Sequence, residues 1–138
     1  MKRGRRIAFD FGDSRIGVAV CDPDGILSTP LPYLEARHPK LSSSIKTLLE
    51  EYEPIEIFVG EPKLLSGEAG LAVEKVGAFI ELLASLTSTP VTLIDERLTS
   101  VESVRKLREA GKSARNSREL IDSMSAVAIL ELGLRYGH

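Results

Sequence analysis

The chain has 138 residues, of which 43% are hydrophobic and 28% charged, with one cysteine, seven prolines and no tryptophan. That length suits one domain over residues 1–138, able to bury ~65–70% of its unfolded surface without a disulfide or metal staple. Composition excludes collagen-like, disordered and disulfide-scaffold classes, and no apolar run approaches the ~20 residues of a membrane span. With a start, MKRGRR, that leads into a strand-like run, and a lone Cys21, this favours a cytosolic protein. The net charge of −2 conceals an uneven distribution. Lys2, Arg3, Arg5 and Arg6 make residues 1–6 locally +4, and residues 97–118 are locally +5. A mildly acidic chain can thus present a basic surface to phosphates, although basic residues also serve simply to solvate a helix face.

In chain order, Ile7–Phe11 reads as a strand meeting a turn at Gly12 and Asp13, and Arg15–Cys21 as a second strand closed by Asp22-Pro-Asp-Gly25. Ile26–Leu34 is a third extended stretch, where Pro30 and Pro32 suit an edge or a bulge. Pro39 opens a helix whose apolar positions Leu41, Ile45, Leu48, Leu49 and Tyr52 recur at helical spacing up to Pro54. Ile55–Gly60 is a buried-type strand, Val76, Phe79, Ile80 and Leu83 mark a second amphipathic helix, and Val91–Ile94 is a further strand. Thr99 with Glu102 fits a capping box, starting a helix that stops near Gly111, and Asn116 with Glu119 opens a final helix to about Tyr136. The order βββ-α-β-α-β-α-α predicts an α/β fold with a mixed five-stranded sheet, three strands antiparallel and two added in parallel through right-handed crossovers.

Candidate chemistry concentrates in the acids. Asp10 ends the first strand; Asp95 and Glu96 end the last, at the carboxyl edge where α/β ligand sites gather. Asp122 is expected within a helix, sharing a face with Ser125, Ala126 and Ile129, small or apolar neighbours that would let the helix approach the sheet. Each acid alone has a plainer role, as turn former, helix-entry acid or surface charge. Brought together from distant segments, they would suit a hard divalent cation. Other sites find little support: His38 and His138 lack zinc-ligand spacing, Cys21 lacks a base, and Ala110-Gly-Lys-Ser113 is a helix C-cap rather than a phosphate loop. With so few aromatics, base stacking is not the obvious binding mode.

Four segments occur in a telling order: Asp10-Phe-Gly-Asp-Ser-Arg-Ile-Gly-Val-Ala19, Val59-Gly-Glu-Pro62 with Ser66-Gly67, Asp95-Glu-Arg-Leu-Thr99, and Asp122-Ser-Met-Ser-Ala126. In these the chain resembles the YqgF family, also called RuvX, of ribonuclease H-like proteins. The resemblance implies a ribonuclease H-like fold and a cytoplasmic bacterial nuclease that processes the 5′ end of precursor 16S ribosomal RNA; the family has also been described as a Holliday junction resolvase. It implies Asp10, Glu96 and Asp122 as catalytic acids and metal ligands for Mg²⁺ or Mn²⁺, two ions in the usual scheme. Asp95 is a less favoured ligand, and so is Glu61, which stands where the family usually has Leu and reads better as a loop residue. Arg15, Arg97, Arg105, Arg108, Lys112, Arg115 and Arg118 are the basic residues expected to bind the nucleic-acid backbone, with Arg97 equally able to form a structural ion pair. The expected hydrolase works as a monomer or homodimer. Two other readings stay open: the same chemistry on four-way DNA, and a nucleic-acid-binding module without catalysis. An actin-like ATPase, which also begins Asp-x-Gly, would need two such domains and more residues than this chain has.

Overall fold

In the computed structural model, which describes residues 2–61, 70–95 and 123–136, five strands form one sheet. They are β1 (Arg6–Phe11), β2 (Arg15–Cys21), β3 (Ser28–Glu35), β4 (Glu56–Glu61) and β5 (Val91–Asp95), in the spatial order β3-β2-β1-β4-β5. The pairs β1–β2 and β2–β3 are antiparallel, whereas β1–β4 and β4–β5 are parallel. This is the expected mixed sheet. Its central strands read as continuous apolar runs because both faces are covered. Helices α1 (Leu41–Tyr52) and α2 (Leu71–Leu86) pack on one face, against Ile7, Phe9, Ile16, Val18, Ile57 and Val59. Helix α3 (Met124–Tyr136) packs on the other, against Ala8, Ala19, Cys21, Phe58 and Ile94.

Element boundaries follow local chemistry. The third strand begins at Ser28 rather than Ile26, because the Asp22 carboxylate accepts the backbone N–H groups of Ile26 (2.7 Å) and Leu27 (3.2 Å) and holds them in the turn. Those bonds keep the Asp22 carboxyl below the ordinary carboxylate range. Ile26 and Leu27 are left exposed there. Helix α1 stops at Tyr52; the next residue, Glu53, takes a left-handed conformation (φ 45°) and donates its N–H to Leu49 O before Pro54. The expected final helix is seen from Met124, with Ser123 in a turn ahead of it. Residues 99–111 and 116–122, where the sequence places a helix and the start of the last one, lie outside the described residues.

The two faces of the sheet differ in grain. Toward α1 and α2 it carries large side chains, with Phe79 edge-on to Phe9 at 5.5 Å between ring centroids and 5.1 Å from Phe11. Toward α3 the sheet is lined mainly by small residues, so the helix comes close, and Phe58 nests beneath Gly133. A Cβ at Gly133 would lie 2.5–2.6 Å from three atoms of the Phe58 ring, which is fully buried and hemmed in. Gly133→Ala is therefore expected to destabilise the protein by about 1–3 kcal/mol through overpacking, despite the ~1 kcal/mol by which Ala outranks Gly in a helix. A lowered denaturation midpoint at unchanged slope would show this.

Two residues of the N-terminal basic cluster, Arg3 and Arg6, make contacts within the fold. Arg6 is 3% exposed, 3.7 Å from the Glu56 carboxylate, and donates to the carbonyls of Gly4 and Lys2. Arg3 pairs with Asp24 at 3.0 Å. Both belong to the amino end of β1, the edge away from Asp10. Cys21 is buried and accepts the Arg6 N–H, and burial pushes its thiol above the ordinary value. That environment disfavours a nucleophilic thiolate.

Candidate active site

Parallel pairing sends the carboxyl ends of β1, β4 and β5 to one edge, so Asp10, Glu61 and Asp95 share it. Strand alternation then separates them. Asp10 follows Arg6 and Ala8 onto the α3 face. On β4 and β5 that face belongs to Glu56, Phe58, Thr92 and Ile94, joined in part by the Thr92 hydroxyl donating to Glu56 at 2.8 Å. Glu61 and Asp95, a register pair, fall on the α1/α2 face. Three acids at one edge are therefore not three acids at one point. Among the described residues, no group of three or more His, Cys, Asp or Glu side chains is placed to hold a metal ion. Glu96 and Asp122, with Arg97, Arg105, Arg108, Lys112, Arg115 and Arg118, lie outside the described residues.

Two glycines shape the surroundings of Asp10. Its cross-strand partner on β2 is Gly17, and on β4 Gly60 follows Val59, the partner of Phe9. Neither neighbouring strand raises a side chain beside the half-buried carboxylate. Among the described residues, the two strands beside Asp10 therefore leave its carboxylate oxygens uncovered by side chains on that face. The sequence carries this signal in Arg-Ile-Gly17 and Phe-Val-Gly60, although strand pairing is needed to aim both glycines at one acid. Gly12 serves the turn after β1. It donates its N–H to Arg15 O at 3.0 Å, and a Cβ there would lie 2.7 Å from that same oxygen.

Ser123 is a further residue whose role only the fold exposes. It is fully buried; its Oγ accepts the Val18 N–H at 3.0 Å and donates to Leu31 O at 2.6 Å. Those two groups face each other where the β2–β3 register shifts between Ile16 and Val18. The hydroxyl thus replaces a rung of the ladder at a bulge and fastens the start of α3 to the sheet. Val18 adjoins Gly17, so the anchor sits one residue along β2 from the position opposite Asp10.

Arg15 also stands on the α3 face, two residues from Gly17, with its guanidinium 4.8 Å above the Tyr33 ring. Across the sheet edge, Asp13 pairs with Lys75 of α2 at 2.5 Å, which holds the Asp13 carboxyl below its ordinary range, aided by the charge of Arg37.

Comparison with known proteins decides the family. The family model described as "RuvX: Holliday junction resolvase" matches residues 4–136. The chain belongs to the RuvX family. A protein of Streptomyces avermitilis named "Putative pre-16S rRNA nuclease" is 48% identical over 97% of this chain and 87% of its own length. A Rhodococcus jostii protein of the same name is 47% identical over 94% and 76%. Among solved structures, Thermus thermophilus RuvC in complex with a Holliday junction substrate superposes with a TM-score of 0.68 at 15% identity, covering 96% of this chain and 94% of that one. The fowlpox virus Holliday junction resolvase gives 0.60 at 13% identity, covering 95% and 98%. At such identities the structures speak for the fold alone: this RuvX chain has the fold that RuvC and the fowlpox resolvase share.

Proposed function

We propose that this RuvX chain is a nuclease that hydrolyses phosphodiester bonds in structured nucleic acid, with the 5′ end of precursor 16S ribosomal RNA as its substrate in the cytoplasm. Asp10 carries the reading: a carboxylate at the carboxyl edge of the central strand, flanked by Gly17 and Gly60, in a chain closely similar to proteins named for that activity. Glu96 and Asp122 complete the proposed acid set. Asp95 and Glu61 are set aside because both fall on the face opposite Asp10, which leaves Glu96, the acid the family resemblance implies. Support for Asp122 comes from its covalent neighbour Ser123, anchored beside Gly17. This donor set is all oxygen, which fits Mg²⁺ or Mn²⁺. Bound divalent cations would supply the charge that activates water and stabilises the departing oxygen. Asp10 would hold and orient that charge against the phosphate, while Arg15 binds the neighbouring backbone. Arg97 and the basic residues of 105–118 would add affinity without sequence preference.

A second substrate is favoured by the family description and by the fold, which is shared with RuvC: a four-way DNA junction, with a homodimer presenting two sites. Incubating the protein with a precursor rRNA fragment and with a four-way junction, in Mg²⁺ or Mn²⁺ and in chelator, separates the readings. Metal-dependent cutting of the rRNA fragment alone is expected. Cutting of the junction alone moves the substrate to DNA, and binding of either without cutting leaves a binding module.

A further inference from the structure

At the same edge of the sheet as Asp10 lies a cleft whose residues have no part in the acid set. It has a volume of ≈ 400 Å³ and is lined by Ser14, Arg15, Tyr33, Glu35, Arg37 and His38, with Pro39. That volume lies within the range of small-ligand sites, ~300–1,000 Å³. Its position is set by register. Arg15 pairs with Glu35 and lies two residues along β2 from Gly17, the partner of Asp10, a separation of about 7 Å. Arg15 and Asp10 share the α3 face, so a strand lying against Asp10 meets Arg15 and Tyr33 at its next step.

The chemistry of the cleft is that of a nucleotide. Tyr33 is half-buried, with one face under the Arg15 guanidinium. Aromatic rings at strand surfaces stack bases of any identity. Arg37 is exposed at the rim, and its charge reaches Asp13 in the turn after β1. His38 uses Nδ1 to accept the Lys40 N–H at 3.0 Å, so Nε2 remains to carry the proton as a donor. The loop bearing Arg37 and His38 is tied to the β1–β2 turn by the Ala36 N–H to Ser14 O bond at 2.8 Å, and to its own strand by the His38 N–H to Glu35 O bond at 3.2 Å. Arg37 and His38 are thus carried on a loop fastened to the sheet edge.

We infer that the Arg15–Tyr33–Arg37–His38 cleft is a nucleotide subsite that seats the unpaired nucleotide next to the bond to be cut, its base against Tyr33 and its phosphate between Arg37 and His38. The inference rests on the nuclease reading, and it narrows the substrate to nucleic acid with a single-stranded nucleotide beside the cut. It also brings stacking, which the composition does not make the obvious binding mode, to one aromatic on the same face and at the same sheet edge as Asp10.

The test uses the full chain in chelator, so that nothing is cut, and a short single-stranded RNA containing 2-aminopurine, with its DNA counterpart as a second arm. Wild type is expected to bind and quench the fluorophore. Tyr33→Ala should weaken binding about tenfold or more and abolish quenching, while Tyr33→Phe retains both. Arg37→Gln, at an exposed position safe for folding, should weaken binding and reduce the log–log salt slope by ~0.7. Lys46→Gln, on the exposed surface of α1, should change nothing. Quenching that survives in Tyr33→Ala, or absence of binding by wild type, overturns the subsite. Cleavage by wild type in metal is scored separately: if it persists while the subsite fails, the nuclease reading stands, and if nothing is cut, that reading falls by itself.

Discussion

Asp10→Asn is expected to abolish cleavage while leaving a folded protein of wild-type secondary structure. The substitution keeps the shape of the side chain and removes its charge, at a position where Gly17 and Gly60 raise nothing that could take over. Losing a hydrogen-bonding neighbour of a metal ligand already costs about 10–100-fold, so losing the ligand itself should exceed ~100-fold. Metal binding gives a second readout. A ligand that binds only the folded state adds RT ln(1 + [L]/Kd), about 2.7 kcal/mol at a hundred times Kd. Wild type should therefore melt higher in Mg²⁺ or Mn²⁺ than in chelator, and Asp10→Asn should show little such shift. If the variant cuts normally and keeps the metal shift, Asp10 is a turn residue and the reactive site lies elsewhere.

Ser123→Ala should be nearly as damaging to activity, and costly to stability as well. Removing the hydroxyl deprives the buried Val18 N–H and the Leu31 carbonyl of the partner that satisfies both. Leaving such a group unsatisfied costs about 1–3 kcal/mol, so a fall in that range is expected in denaturant unfolding. The effect on cleavage should go beyond stability. At a temperature where the variant is fully folded, its metal requirement should rise and its rate fall, because the residue covalently joined to Asp122 is no longer pinned beside Gly17. A variant that is less stable but shows wild-type metal dependence would make Ser123 a structural clip only, and Asp122 would lose its main support as a ligand. A variant unchanged in both would remove the clip as well.

Much of the fold was legible because local chemistry and tertiary demands agree. The apolar runs Ile7–Phe9, Ile16–Val20 and Ile57–Val59 are too short for helices and too apolar for one-sided strands, and the sheet does cover both faces. Pro30 and Pro32 announced the edge position of β3, since a residue without an N–H cannot serve a central ladder. The mixed pairing followed from tight turns between the first three strands and helices between the rest, whereas the spatial order β3-β2-β1-β4-β5 appears only in the sheet itself. Motif order likewise identified the family, which needs residue identity rather than geometry.

Other features became visible only when strands were in register. Asp10, Glu61 and Asp95 are equivalent as strand-terminal acids in the sequence, yet the two-residue side-chain period puts Asp10 on one face and the other two on the opposite face. The glycines beside Asp10 come from segments far apart in the chain, as do the two groups that Ser123 joins, and no local pattern can announce a long-range pairing. The basic residues at the amino terminus looked like a phosphate patch by charge alone. Burial of Arg6 against Glu56 assigns that residue to structure, because a charge taken from water must find a partner, while Arg3 pairs with Asp24 on the surface. Sequence by itself determined the five strands and the three described helices, and which family the chain resembles, through periodicity and residue identity. Tertiary structure alone decided which side chains share a face with Asp10, because that depends on register, and register is set where distant strands meet.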